Sequence, residues 1–269
     1  MDNTTRRRFL QIAGLSVLGL GAKQIPDAMA SSAAPQFKDD AKALVGKRWA
    51  MVVDYRKCAN AKDGCMDCIK ACHEAHNVPE FPDPKDEVKW IWKTDFEHAF
   101  PTDAGGGMEA FVKGTTKGTP FLILCNHCDN PPCVRVCPVK ATFKRSDGIV
   151  MMDYHRCIGC RYCMAACPYG ARSLNWRDPR PFVKKVNGEY PNPEYPTRTR
   201  GVVEKCTFCF ERLAVGKIPA CVQACEKEKA LVFGDLEDPN SEVRELLRKH
   251  PTIRRKPQLG TLPQIYYIV

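Results

Sequence analysis

The chain of 269 residues contains no apolar run long enough to cross a bilayer as a resident helix, which takes about 20 residues. Its apolar stretch near the start is only about fourteen residues. The apolar C-terminus, LGTLPQIYYIV, is short and precedes no charged anchor, so it reads as a packed or partner-docking tail. No nucleophile–base arrangement and no pterin-pocket motif stands out, which argues against a catalytic site of its own. The arginines form no stripe interleaved with aromatic stacking partners, which argues against nucleic-acid binding. One further thing is missing: a leftover cysteine. All sixteen cysteines fall into four groups of four.

The groups are Cys58, Cys65, Cys68 and Cys72; Cys125, Cys128, Cys133 and Cys137; Cys157, Cys160, Cys163 and Cys167; and Cys206, Cys209, Cys221 and Cys225. Each contains a C-x2-C pair and ends in C-x3-C. Disulfides fit poorly, because cysteines this close cannot mostly bridge without strain. Structural zinc usually takes two C-x2-C pairs separated by a longer loop. The run CIGCRYCMAACP (157–168) instead matches the iron–sulfur pattern in which three thiolates hold one [4Fe–4S] cluster and the fourth crosses to another. Four groups then predict four [4Fe–4S] clusters.

The groups also repeat. DYRKC (54–58) matches DYHRC (153–157), and PPCVRVCPVKATF (131–143) parallels IPACVQACEKEKALVF (218–233). Short apolar runs at 49–53, 120–124, 149–152, 172–176, 201–203 and 230–233 read as strands, and the segments near the last cysteines as short helices. The expected fold is therefore α+β, with two ferredoxin-like units in one duplicated chain. Cys137 and Cys157 are only twenty residues apart, which suits paired motifs within an inner unit. Motifs one and four then close an outer unit. The other pairing, one with two and three with four, would place the long irregular stretch 73–124 inside a unit.

Crossing the fourth ligands gives the expected sets. They are Cys58, Cys65, Cys68 with Cys225; Cys125, Cys128, Cys133 with Cys167; Cys157, Cys160, Cys163 with Cys137; and Cys206, Cys209, Cys221 with Cys72. The expected segments are a signal (1–30), the first part of the outer unit (31–124), the inner unit (125–176), a linker loop (177–200), the second part of the outer unit (201–235) and a C-terminal tail (236–269).

The opening TTRRRFLQIAGLSVLGLGAK, with AMA at 28–30, reads as a twin-arginine export signal with a cleavage site. That route carries folded proteins, and thiolates must be loaded in a reducing compartment before meeting an oxidising one. The formal charge of +10 falls to +8 without residues 1–30, where 37 basic face 29 acidic residues. An oxidised cluster with its four thiolates carries about −2, so four would bring the holoprotein near neutrality. The basic excess thus reads as compensation for cluster charge.

His73 and His76 are expected on the helix after the first motif, and His127 to pack or hydrogen-bond beside a cluster rather than bind iron. CIKACH (68–73) resembles a stretched haem-attachment motif, but its cysteines are already taken. The loops at 77–87, 102–111 and 177–200, rich in Pro, Gly and charge, are candidates for partner contacts. In 238–250, Asn240 or Ser241 is the candidate helix cap.

The segments 125–172 and 205–225 resemble the four-cluster electron-transfer subunits of bacterial respiratory oxidoreductases, over about 48–235 of the chain. Six residues rather than the usual two separate Cys58 from Cys65. This spacing, ACHEAHNVP and the export signal are most similar to the DsrO-type subunit of the Dsr membrane complex. The resemblance implies a one-electron relay on the periplasmic face of the cytoplasmic membrane. It implies as partners an NrfD-type quinone-interacting membrane subunit, a multihaem cytochrome c and further subunits of a sulfur- or sulfate-respiration complex. The alternatives are the beta subunit of a molybdopterin oxidoreductase and a soluble periplasmic polyferredoxin.

Overall fold

A computed structural model describes residues 41–61, 65–101 and 120–269, all within one unit spanning Asp40–Val269. The export signal (1–30), the start of the expected outer unit (31–40) and the loop at 102–111 lie outside the described residues.

Strand β1 (Trp49–Asp54) is buried along its whole length, which is why its sequence is a continuous apolar run rather than an alternation. Trp49, Met51 and Val53 enter the main core, whereas Ala50 and Val52 pack in a second cluster. After β1 come helix α1 (Tyr55–Asn60), helix α2 (Asp67–His76), strand β2 (Ile91–Asp95), the short helix α3 (Phe96–Ala99) and strand β3 (Pro120–Leu124). The inner motifs bring α4 (Pro132–Arg135), β4 (Thr142–Lys144), β5 (Val150–Met152), α5 (Tyr162–Ala165) and β6 (Ser173–Leu174). Then follow β7 (Val203–Glu204), α6 (Phe210–Leu213), α7 (Ala220–Ala224), β8 (Leu231–Asp235), α8 (Glu242–Lys249), β9 (Thr252–Ile253) and β10 (Ile265–Ile268).

Four strands form one sheet in the order β8-β1-β10-β9, with β1 antiparallel to β8 and parallel to β10. Three antiparallel pairs, β2–β3, β4–β5 and β6–β7, complete the strands. All six expected strands are present within a few residues. Strands β2, β4, β9 and β10 had no sequence signal strong enough to be expected.

The place of β10 overturns the partner-docking reading of the tail. Ile265, Tyr267 and Ile268 are wholly buried, and Met51 to Asp54 pair with Ile265 to Ile268. The tail returns to fill the gap between β1 and β9, and Ile265, Tyr267 and Ile268 are spent on the core, while Leu259 and Leu262 stay exposed. The segment before it is also ordered: Ser241 caps α8, its Oγ accepting the amide of Arg244 at 3.3 Å.

The duplication has a physical counterpart. Asp54 Oδ1 accepts the amide of Lys57 at 3.2 Å, and Asp153 Oδ1 accepts that of Arg156 at 3.2 Å. In each repeat an aspartate makes the same turn and delivers the cysteine that follows. Pro131 and Pro219 likewise precede α4 and α7 at matching places. Among the described residues, no helix is long and apolar enough to cross a membrane.

Candidate metal centre

The C-x2-C loops owe their shape to one backbone feature. The residue before the second cysteine is left-handed in three of them: His127 (φ 41°), Gly159 (φ 68°) and Phe208 (φ 55°). Gly159 has a steric reason as well, since a Cβ there would lie 2.3 Å from the carbonyl oxygen of Gly201. For His127 and Phe208 the conformation costs of the order of 1–3 kcal/mol each. Their rings stack on each other at 3.7 Å, which holds both in place. In the first motif the corresponding residue, Asp67, is already inside α2. The longer spacing between Cys58 and Cys65 therefore goes with a different local fold.

The C-x3-C pairs do a different job. Two residues four apart lie on one helix face about 6 Å apart along the axis, too far to serve one small site and right for two neighbouring ones. In α2, Cys68 lines a cavity with Cys58, Cys65 and Cys225, while Cys72 neighbours Cys209, Cys221 and Cys206. Helix α2 packs on α7, whose Cys221 and the following Cys225 are split between the same two places. The inner motifs repeat this. One cavity is lined by Cys125, Cys128, Cys133 and Cys167, and another by Cys137, Cys157, Cys160 and Cys163.

These thiols are free, and burial dominates their chemistry. Cys68, Cys128 and Cys206 are pushed up to about 12, first by desolvation and then by neighbouring cysteines. Cys72 and Cys209 rise well above the ordinary thiol value, and Cys221 rises too, for the same reasons. Four thiolates cannot gather in such a place without a cation to bind them, so metal must displace the protons. Local donors favour the thiolates: the amide of Thr142 reaches Cys137 Sγ at 3.5 Å and that of Ala220 reaches Cys209 Sγ at 3.4 Å. Sets of four soft sulfur donors around one cavity fit an iron–sulfur cluster.

The histidines behave as structural groups. His127 is fully buried, its Nδ1 accepts the amide of Val150 at 3.1 Å, and desolvation followed by Lys205 and Arg172 holds its pKa well below the ordinary value. His76 ends α2, with Nδ1 2.8 Å from the carbonyl oxygen of Cys72 and Nε2 2.9 Å from Glu211 Oε1. Its ring stacks on Trp90 at 4.3 Å. Sequence reasoning missed Glu211, Arg172 and Lys205 as neighbours of the cysteines. Lys205 directly precedes a C-x2-C pair, but nothing in the pattern announces that it is buried.

A chain whose thiols gather in this way, on short helices between small strand pairs, is a ferredoxin-type cluster protein. The comparisons agree: the family model for a 4Fe-4S dicluster domain matches twice, over residues 119–194 and 182–236. The Hdr-like menaquinol oxidoreductase iron-sulfur subunit 1 of Archaeoglobus fulgidus is 42% identical, over 98% of this chain and 97% of its own length. The arsenate respiratory reductase iron-sulfur subunit ArrB of a Shewanella species is 37% identical, over 82% of this chain and 96% of its own. The menaquinone reductase iron-sulfur cluster-binding subunit of Nitratidesulfovibrio vulgaris is 36% identical, over 82% and 88%. The chain belongs to the family of iron–sulfur electron-transfer subunits of oxidoreductase complexes. It is an electron-transfer subunit, not a catalytic one. The likeness reaches beyond 48–235, into the ends of the chain.

Proposed function

We propose that the chain holds four [4Fe–4S] clusters on the four crossed cysteine sets and passes single electrons between a quinone-interacting membrane subunit and other redox subunits of a respiratory complex. The observation that carries this reading is the splitting of each C-x3-C pair between two sites, because it makes each cluster the neighbour of another. A bound cluster supplies a one-electron carrier without an open iron. Each set supplies four thiolates, burial keeps water from the set around Cys72, and the helix pairs fix the spacing between sites. The finer reading is an exported, DsrO-type subunit on the periplasmic face of the membrane, working with an NrfD-type membrane protein and a multihaem cytochrome c in sulfur or sulfate respiration. Its supports are the twin arginine at Arg6 and Arg7, the widened first motif, and relatives named for menaquinol and menaquinone chemistry.

Purification of the native complex from membranes, with iron and sulfide analysis and identification of bound subunits, tests the proposal. About sixteen iron and sixteen sulfide per chain, with a quinone-binding partner, is the expected result. Substantial zinc, or a protein that leaves the membrane alone and fully loaded, would overturn it. A second reading, the beta subunit of a molybdopterin reductase, is favoured by the similarity to the iron–sulfur subunit of arsenate respiratory reductase. Molybdenum in the same complex would decide for it.

A further inference from the structure

Four cationic side chains are buried among the described residues: Arg172, Arg198, Lys205 and Arg255. Arg198 is the ordinary case. Its Nε lies 2.8 Å from Glu204 Oε1, and that carboxylate also accepts from Trp90 and Asn175. The other three have no carboxylate within ion-pair distance among the described residues. Arg172 donates to Thr142 Oγ1 at 3.1 Å and approaches Met152 Sδ at 3.7 Å, while its Nη2 has no partner. Lys205 donates to the carbonyl oxygens of Val150 and, at 2.8 Å, Cys206. Arg255 donates from Nε to the carbonyl oxygen of Ala99 at 2.6 Å, lies over the ring of Tyr169, and has no partner at Nη1. Neutral acceptors alone leave a buried cation heavily destabilised, so each needs a negative charge that the amino acids do not provide.

All three face the same cysteines. Arg172 lines the cavity of Cys125, Cys128, Cys133 and Cys167, Lys205 donates to the carbonyl oxygen of Val150 on its wall, and Arg255 lies over Tyr169, also on its wall. The remaining sets are less loaded. The set around Cys157 also meets Arg172, whose charge acts on Cys163 second only to Cys133. The buried outer set faces Lys205 through Cys206, but Glu211 acts on Cys206 and Cys209 in the opposite sense. The set around Cys58 has Lys93 opposed by Asp54. Among the described residues, no carboxylate lines the cavity of Cys125, Cys128, Cys133 and Cys167.

We propose that Arg172, Lys205 and Arg255 make the cluster on Cys125, Cys128, Cys133 and Cys167 the highest-potential member of the relay, the place where a single electron settles. This rests on the four-cluster reading. Reduction adds one negative charge at this place and removes one from a neighbouring cluster. No bond forms or breaks and no proton need move. The three cations stabilise the added charge more than the groups around any other cysteine set do, and they act as positioning charges that do not themselves exchange electrons.

The test is a potentiometric titration of the native holoprotein followed by electron paramagnetic resonance. Cys128→Ser identifies the signal of this cluster, which is expected to be the first reduced as the potential falls. Arg172→Met, Lys205→Met and Arg255→Gln are each expected to weaken its reduction at least tenfold, a shift of about 59 mV downward for one electron. Arg172→Lys and Lys205→Arg should restore most of it. The exposed variant Lys249→Gln on α8, outside the cysteine-lined cavities, should leave it in place. Iron and sulfide analysis accompanies each variant. If the wild type lacks four clusters, the four-cluster reading fails. If the wild type and the neutral variants are fully loaded but the signal is neither the first reduced nor moved, this inference fails alone. Loss of iron in all three neutral variants would also overturn it, because the cations would then serve assembly rather than potential.

Discussion

The two outer cysteine sets share the same pair of helices, yet they meet opposite surroundings. Around Cys58 the sulfurs line an open cavity of about 510 Å³ rimmed by Asn60, Asp67, Lys70, Lys227 and Glu228. Three of its four cysteines are only half-buried. Around Cys72 all four cysteines are buried, behind His76, Trp90 and Tyr195. One turn of α2 and one turn of α7 separate the two sites. Motif and helix thus decide which thiols can meet, while the packing around them decides the dielectric in which they work. A site open to water can exchange electrons with a partner surface. A buried one is suited to pass them within the protein and is protected from solvent.

The largest effect should come from the sheet that supports both sets. Deleting residues 262–269 removes β10 from between β1 and β9, and is expected to give insoluble or unfolded protein with little iron, read by circular dichroism and iron content. A truncated chain that stays folded and loaded would mean that β1 does not need its parallel partner.

The next test separates the two sites directly. Cys221→Ser, in the buried set, should lower both iron content and melting temperature, whereas Cys58→Ser should lower iron with little change in melting temperature. In the wild type, a chelator or air should first remove about four of about sixteen iron atoms, from the open set. Equal loss from all sites would break the comparison. Among the inner motifs, Cys167→Ser should disturb the cluster on Cys125, Cys128 and Cys133 and spare the one on Cys157, which resonance spectra of the two variants would resolve.

The sign of the pH dependence also distinguishes the regions. Burial raises the thiols of Cys72, Cys206, Cys209 and Cys221 above their unfolded value, so the folded apo chain prefers them protonated. That contribution is fully present below about pH 8.5 and is lost as pH rises toward the folded values, near 12 for Cys206. The melting temperature of apo protein should therefore fall through this alkaline window, more than that of holoprotein. Replacing all four cysteines by alanine should remove much of the difference.

The smaller effects are local. Gly159→Ala would place a methyl against the carbonyl oxygen of Gly201 in a left-handed position, at a cost of about 1–3 kcal/mol. Ser241→Ala removes the cap of α8 at about 1 kcal/mol and with no change in iron content. Thermal unfolding with iron analysis checks both.

Much of this molecule is local, and local features are legible in a sequence. The repeated aspartate turn before Cys58 and Cys157 needs only neighbouring residues, as does the one-turn reach of C-x3-C. The apolar runs of β1, β3, β5 and β8 announce themselves because both their flanks and their composition mark strands. Strands β9 and β10 do not, since the tail becomes a strand only when β1 offers it an open edge more than two hundred residues earlier in the chain.

By itself, then, the amino-acid sequence determined the number of thiols, their grouping, the doubling of the motifs and the soft-metal chemistry they imply, because each follows from spacing along the chain. Only the tertiary structure decided which set is open and which is sealed, that the apolar tail belongs to the core, and that Arg172, Lys205 and Arg255 lie buried around one set of cysteines. Burial and long-range electrostatics depend on which segments meet across space. Arg172 and Lys205 lie thirty-three residues apart in the chain, and Arg255 another fifty beyond. No spacing rule connects them; the packing does.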